Sequence, residues 1–158
     1  PYGVAQDSKG RAWVNLFGTN RVAVVDPASF THREFATPRD AARTRRIAVD
    51  ARDRVWYTDF AEGRIGVLEP ETGNVREWLS PGGEGSQPYA LLVDDRNRVW
   101  YSECQRDGAH LVGFDLQTEQ FVHRTPVSSC IRHMVFHAPT RAIWFGTDAN
   151  NIGRATLP

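Results

Sequence analysis

The apolar residues of this chain alternate with polar ones in short runs of four to six, broken by Gly, Pro, Asn and Asp. No stretch sustains the 3.6-residue period of an amphipathic helix. In the second repeat the runs are Ile47–Asp50, Val55–Asp59, Arg64–Glu69 and Val75–Leu79, rich in Val, Ile and Trp. Such residues at period two, between turn-forming clusters, predict β-strands with one buried face.

The same runs return along the chain. Ile47-Ala-Val-Asp-Ala-Arg-Asp-Arg-Val-Trp-Tyr-Thr-Asp59 has relatives at Val4–Trp13, Leu91–Glu103 and Met134–Phe145, and the landmark tryptophans Trp13, Trp56, Trp100 and Trp144 are 43, 44 and 44 residues apart. A third run follows each of them, beginning at Asn20, Gly63, His110 and Asn151, and a fourth follows at His32, Val75 and Phe121. Four antiparallel strands in a repeat of this length predict an all-β propeller of four-stranded blades. The blades fall at about residues 1–38, 39–82, 83–128 and 129–158, the last without its fourth strand. On this reading the five tryptophans mostly pack blades together, with ligand stacking by one of them as the alternative.

In each repeat the first hairpin carries an acidic residue or His four positions before an Arg: Asp7/Arg11, Asp50/Arg54, Asp94/Arg98 and His137/Arg141. These pairs read as structural contacts across a tight turn. The last repeat stops after its third strand. From this we expect the chain to be the C-terminal part of a six- or seven-bladed ring, with further blades upstream of Pro1. A self-contained four-bladed ring is the alternative.

Formal net charge is zero, so no global field recruits nucleic acid or an anionic membrane. No apolar run reaches the length of a membrane span. Eighteen Arg accompany the single Lys9, a bias suited to planar anions. Phosphate loops, dinucleotide fingerprints and nucleophile elbows are absent. Gly82-Gly-Glu-Gly85 reads as a turn between blades.

Blade topology places the start of each first strand and the end of each second strand on one rim, around the mouth of the central channel. Tyr2, Arg45 with Arg46, Tyr89, and Arg132 with His133 come from first-strand starts. Asn15, Asp59, Glu103 and Asp148 come from second-strand ends. One reading is a polar mouth for a small anionic or hydrogen-bonding ligand, with Tyr2, Arg45, Asp59, Tyr89, Arg132 and Asp148 as binding residues. Glu103 and His133 are the candidates for moving a proton. The competing reading is that arginines and carboxylates of neighbouring blades simply pair. Asp59, Glu103 and Asp148 have no sequence-local metal-ligand spacing, so no metal site is assigned from it.

Cys104 and Cys130 fall on the same rim in adjacent blades, which leaves open a disulfide or two buried thiols. A disulfide would imply an oxidising compartment, hence a periplasmic or secreted protein; a cytoplasmic location is the alternative.

Trp56-Tyr-Thr-Asp59 and Trp100-Tyr-Ser-Glu103, with Arg64-Ile-Gly66, Asn151-Ile-Gly-Arg154, Pro1-Tyr-Gly-Val4 and Pro88-Tyr-Ala-Leu91, resemble the virginiamycin B lyase family over all four repeats. NHL-repeat and gluconolactonase-like propellers share parts of the pattern. The resemblance implies a seven-bladed ring. It also implies a Mg²⁺-assisted C–O lyase that opens type B streptogramins by elimination without water. The family's general-base His belongs at the second position of a strand start, where this sequence has Tyr2, Arg45, Tyr89 or Arg132. Glu103 matches the family's Glu position, with Asp59 as its shorter counterpart. Two functions follow: a propeller whose Arg- and Tyr-lined mouth binds a small ligand, or a C–O lyase using Glu103 and His133.

Overall fold

A computed structural model describes residues 1–158. The chain forms fifteen strands in four antiparallel sheets, ordered as they occur in sequence. The first blade is β1 (Val4–Gln6), β2 (Ala12–Leu16), β3 (Arg21–Val25) and β4 (His32–Ala36). The second is β5 (Thr44–Val49), β6 (Val55–Asp59), β7 (Arg64–Leu68) and β8 (Val75–Leu79). The third is β9 (Pro88–Val93), β10 (Arg98–Glu103), β11 (Ala109–Asp115) and β12 (Gln120–Val127). The fourth has three strands, β13 (Ile131–His137), β14 (Ala142–Thr147) and β15 (Ile152–Thr156). No helix is long and apolar enough to cross a membrane.

Blades stack through their innermost strands, β1 on β5, β5 on β9 and β9 on β13. Each of the three interfaces holds its own apolar cluster. Trp13, Val22, Val24 and Phe35 of the first blade meet Ile47, Val55, Tyr57 and Leu68 of the second. Trp56, Ile65 and Val67 then meet Val99, Tyr101, Val112 and Phe114, and Trp100 and Leu111 meet Ile131, Met134 and Ile143. Trp13, Trp56 and Trp100 thus fill successive gaps. Trp144, at the same repeat position, faces no further blade in this arc and is 43% exposed, with Ile152 beside it at 84%.

The repeated acid of the first hairpin does more than pair with Arg. Asp50 Oδ1 accepts the backbone N–H groups of Arg52 and Arg54; its Oδ2 accepts Arg54 Nε at 2.8 Å and the indole Nε1 of Trp56 at 2.9 Å. Asp7 and Asp94 do the same for Arg11/Trp13 and Arg98/Trp100. One carboxylate therefore fixes the turn, neutralises the Arg and satisfies the only polar atom of a core tryptophan, as a buried indole requires. In the fourth blade His137 stands in place of the acid, and its ring contacts Thr140 instead.

The glycine in the third strand makes room for an aromatic ring. Gly66 lies opposite Tyr57 and Gly153 opposite Phe145; a Cβ at either position would sit 2.2 and 2.1 Å from the ring. The Arg-Ile-Gly and Asn-Ile-Gly signatures are therefore packing signatures.

Candidate functional site

The first strands are irregular where they leave the rim. Register shifts fall between Thr44 and Ile47 in β5, and between Ile131 and His133 in β13. β5 also starts at Thr44, ahead of the alternating run at Ile47, because these rim residues pair irregularly and carry no apolar period. Regular pleating would send Arg45 and Arg46 to opposite faces; a bulge re-aims side chains at a strand end. Both guanidiniums consequently reach the same aromatic pair. Arg45 Cζ is 5.1 Å from the Tyr2 ring centre and 4.8 Å from that of Tyr89; Arg46 Cζ is 5.3 and 5.5 Å from the same rings.

Two residues that the rim argument did not single out complete the cluster. Phe17 and Phe60, just beyond the ends of β2 and β6, lie 4.5 and 3.8 Å from Arg45 Cζ. An aromatic shortly after Asn15 and directly after Asp59 was the available signal. Arg132 joins from the fourth blade, its Cζ 4.8 Å from the Tyr89 ring centre, and its carbonyl accepts Arg46 Nη2 at 3.2 Å. Rings supply the negative faces on which cations rest. Neither Arg45 nor Arg46 has a carboxylate within ion-pair distance, and the Nε of each is buried without a partner. The hydroxyls of Tyr2 and Tyr89 are hydrogen-bonded to each other. Burial pushes the Tyr89 phenol up, but hydrogen bonds from Tyr2 and Arg132 and the charges of Arg45 and Arg46 outweigh it, leaving Tyr89 below the ordinary 10.0. The hydrogen bond to Tyr89, with burial, raises Tyr2.

The carboxylates are elsewhere. Glu103 is 0% exposed and points outward between blades: Oε1 accepts Ser80 Oγ at 2.5 Å and Gly82 N at 2.7 Å, while Oε2 accepts Arg124 Nε at 2.8 Å. It ties the connection after β8 to the third blade. Asp59, one methylene shorter, instead caps its local turn by accepting the N–H groups of Arg43, Ala61 and Glu62, and burial raises its carboxyl above the ordinary range. Asn15, equivalent in the first blade, is also fully buried. Asp148 is exposed and pairs with Arg132 at 3.1 Å. His133 is exposed beside the apolar end face of the fourth blade, with Met134, Val135 and Trp144. The structure therefore brings Tyr2, Arg45, Tyr89 and Arg132 together, with Asp148 at the edge through Arg132. Asp59, Glu103 and His133 stay outside.

These placements also test a Mg²⁺ site. Both Glu103 oxygens are occupied, Asp148 is salt-bridged, and no group of three or more His, Cys, Asp or Glu side chains could hold a metal. The residues present do not fit the ion. Cys104 and Cys130 are joined in a disulfide across the third and fourth blades, Cα to Cα 4.7 Å apart.

Solved structures share this architecture. A streptogramin B lyase structure superposes with a TM-score of 0.79 at 18% identity, covering 100% of this chain and 55% of that one. Virginiamycin B lyase from Staphylococcus aureus gives 0.78 at 17%, covering 100% and 56%. A nidogen/laminin complex gives 0.84 at 14%, covering 98% and 60%. The chain thus spans little more than half the length of the lyases it resembles. No curated protein matches the sequence significantly. A sequence model of the virginiamycin B lyase family matches residues 1–158, the whole chain, and with the propeller blades just described this places the protein in the virginiamycin B lyase family.

Proposed function

We propose that the channel mouth binds a small organic anion through Arg45, Arg46 and Arg132, against the rings of Tyr2, Phe17, Phe60 and Tyr89. The observation that carries this is that Arg45 and Arg46 meet in one aromatic cluster with no carboxylate beside either, and with the Nε of each buried and unpartnered. Unneutralised guanidiniums with a buried, unpartnered Nε favour an incoming anion. Arg can engage a carboxylate with two parallel N–H donors, and the rings offer a flat apolar wall. The Tyr2–Tyr89 hydroxyl pair supplies a further donor.

The elimination chemistry of streptogramin lyases is not carried by these positions. Glu103 is enclosed and fully hydrogen-bonded, and His133 lies outside the cluster. We also propose an oxidising compartment, periplasmic or extracellular, on the strength of the Cys104–Cys130 bond.

The test is a titration with benzoate followed by NMR of the arginine Nε–Hε groups, at constant ionic strength. Saturable shifts at Arg45, Arg46 and Arg132 are expected, with affinity reduced about tenfold or more in Arg45→Gln, the scale of one charge-assisted contact. Unchanged affinity in Arg45→Gln and Arg132→Gln would refute the reading.

A further inference from the structure

Four quasi-equivalent hairpins line the opposite face of the propeller, where β1, β5, β9 and β13 end. One of the three junctions between them differs from the other two. At the first, Ser8 of one hairpin clasps Asp53 of the next: the Ser8 N–H and Oγ donate to the carboxylate at 2.9 and 2.5 Å. At the third, Asp95, in the repeat position of Ser8, accepts Arg141 Nη1 at 2.6 Å. At the middle junction the hydroxyl donor and the carboxylate acceptor of that clasp are both missing. Ala51 stands where Ser8 does, and Asn97 where Asp53 does. A methyl cannot donate and a neutral amide cannot match a charge.

The open junction is a cavity of about 350 Å³, lined by Arg52, Arg54, Arg96, Asn97, Asp115 and Gln117. Three arginines line it from two blades. Arg52 has no side-chain hydrogen bond, and Arg96 has only the Pro158 carbonyl, at 3.1 Å. Arg54 is held by Asp50 through Nε alone. Asp115 is the one carboxylate in the lining. Its Oδ1 accepts the N–H groups of Gln117 and Thr118, and these bonds hold its carboxyl below the ordinary range. Three guanidiniums against Asp50 and Asp115 leave one positive charge in excess.

We propose that this junction is a second ligand site, which takes a tetrahedral oxyanion, a phosphate group either free or as a small monoester. Donors approaching from two blades suit an anion with acceptor oxygens on several sides, whereas one Arg fork suffices for a carboxylate. The cavity exceeds the size of inorganic phosphate and leaves room for the organic part of an ester. The site is independent of the channel mouth, since its residues lie at the other ends of the same strands.

Calorimetric titrations of the intact protein with inorganic phosphate and with glycerol 3-phosphate test this, with chloride at matched ionic strength as control. Saturable binding of at least one phosphate species is expected, weakened about tenfold or more by Arg52→Gln and by Arg96→Gln. Tighter binding of the ester identifies a monoester as the ligand; equal binding identifies phosphate itself. The double variant Ala51→Ser/Asn97→Asp rebuilds the clasp seen at the first junction. It is expected to abolish phosphate binding while leaving benzoate binding at the mouth intact. The proposal fails if neither phosphate species binds saturably, or if both Arg variants and the rebuilt clasp bind as tightly as the parent.

Discussion

Replacing Glu103 by Ala should destabilise the protein and leave the proposed anion binding by Arg45, Arg46 and Arg132 untouched. The substitution removes a buried carboxylate that accepts from Ser80 Oγ, Gly82 N and Arg124 Nε. It orphans the Gly82 N–H and Arg124 Nε–H, leaves Ser80 Oγ with the Tyr101 hydroxyl alone, and opens a space where the side chain packed. Breaking a buried ion pair by deleting one partner costs about 3–5 kcal/mol. The Arg124 side chain is 34% exposed and can rehydrate, which points to the lower end of that range. We therefore expect a loss of about 3 kcal/mol, or about 6–12 °C in melting temperature for a domain of this size. Glu103→Gln keeps an acceptor for Ser80 and Gly82 but not the charge facing Arg124, and should cost about 1–2 kcal/mol. Urea unfolding of the three proteins measures these differences, and benzoate titration of each reports on the mouth. A loss below about 1 kcal/mol for Glu103→Ala, combined with lost benzoate binding, would show that Glu103 belongs to the site rather than to the blade junction.

Other expectations follow from the same geometry. Cys104 and Cys130 close a loop with a separation of 26 residues, so reduction should cost about 3–4 kcal/mol on chain-entropy grounds, read as a lower melting temperature in dithiothreitol; no shift would contradict it. Asp50→Ala and Asp94→Ala remove an acceptor shared by Arg, Trp and backbone and should each cost about 3 kcal/mol in urea unfolding. His137→Ala should cost under about 1 kcal/mol, because its ring contacts only Thr140. Because Tyr89 ionises below its unfolded value of 10.0, folding is expected to gain stability as pH rises from the folded pKa towards that value. Tyr89→Phe should remove this gain together with the earliest step in a 295 nm absorbance titration; its persistence would assign the step elsewhere.

The blade architecture was legible because each strand carries its own period-two signal and each repeat restates it. The tryptophan spacing alone located the three packed interfaces. The site was legible only in part. Chain topology put Tyr2, Arg45, Arg46, Tyr89 and Arg132 on one rim, since strand order fixes which ends are neighbours, and their side chains do meet. It could not tell which way a rim side chain points. Glu103 and Asp59 share that rim, yet one methylene separates a latch between blades from a cap on a local turn. The bulge in β5 was equally hidden, and without it consecutive arginines would diverge. The Asp–Arg spacing revealed a hairpin pair, but the indole that shares the same carboxylate lies six residues from it and across a strand.

The mouth cluster has an energetic consequence of its own. Like charges at these separations repel, and burial of each unpartnered Nε adds a desolvation cost. Four aromatic faces within 5.1 Å of Arg45 offset part of this, each contact contributing about 0.5–2 kcal/mol. The Tyr89 phenol, easier to ionise beside these cations, offers a second, internal source of negative charge. On the proposed function, an anionic ligand and the Tyr89 phenolate are competing ways to neutralise the same guanidiniums. Benzoate affinity should accordingly fall as pH rises through the Tyr89 ionisation in the parent protein and stay flat in Tyr89→Phe. A parallel fall in both would mean that the anion responds to a group other than Tyr89, and that the phenol pair serves packing alone.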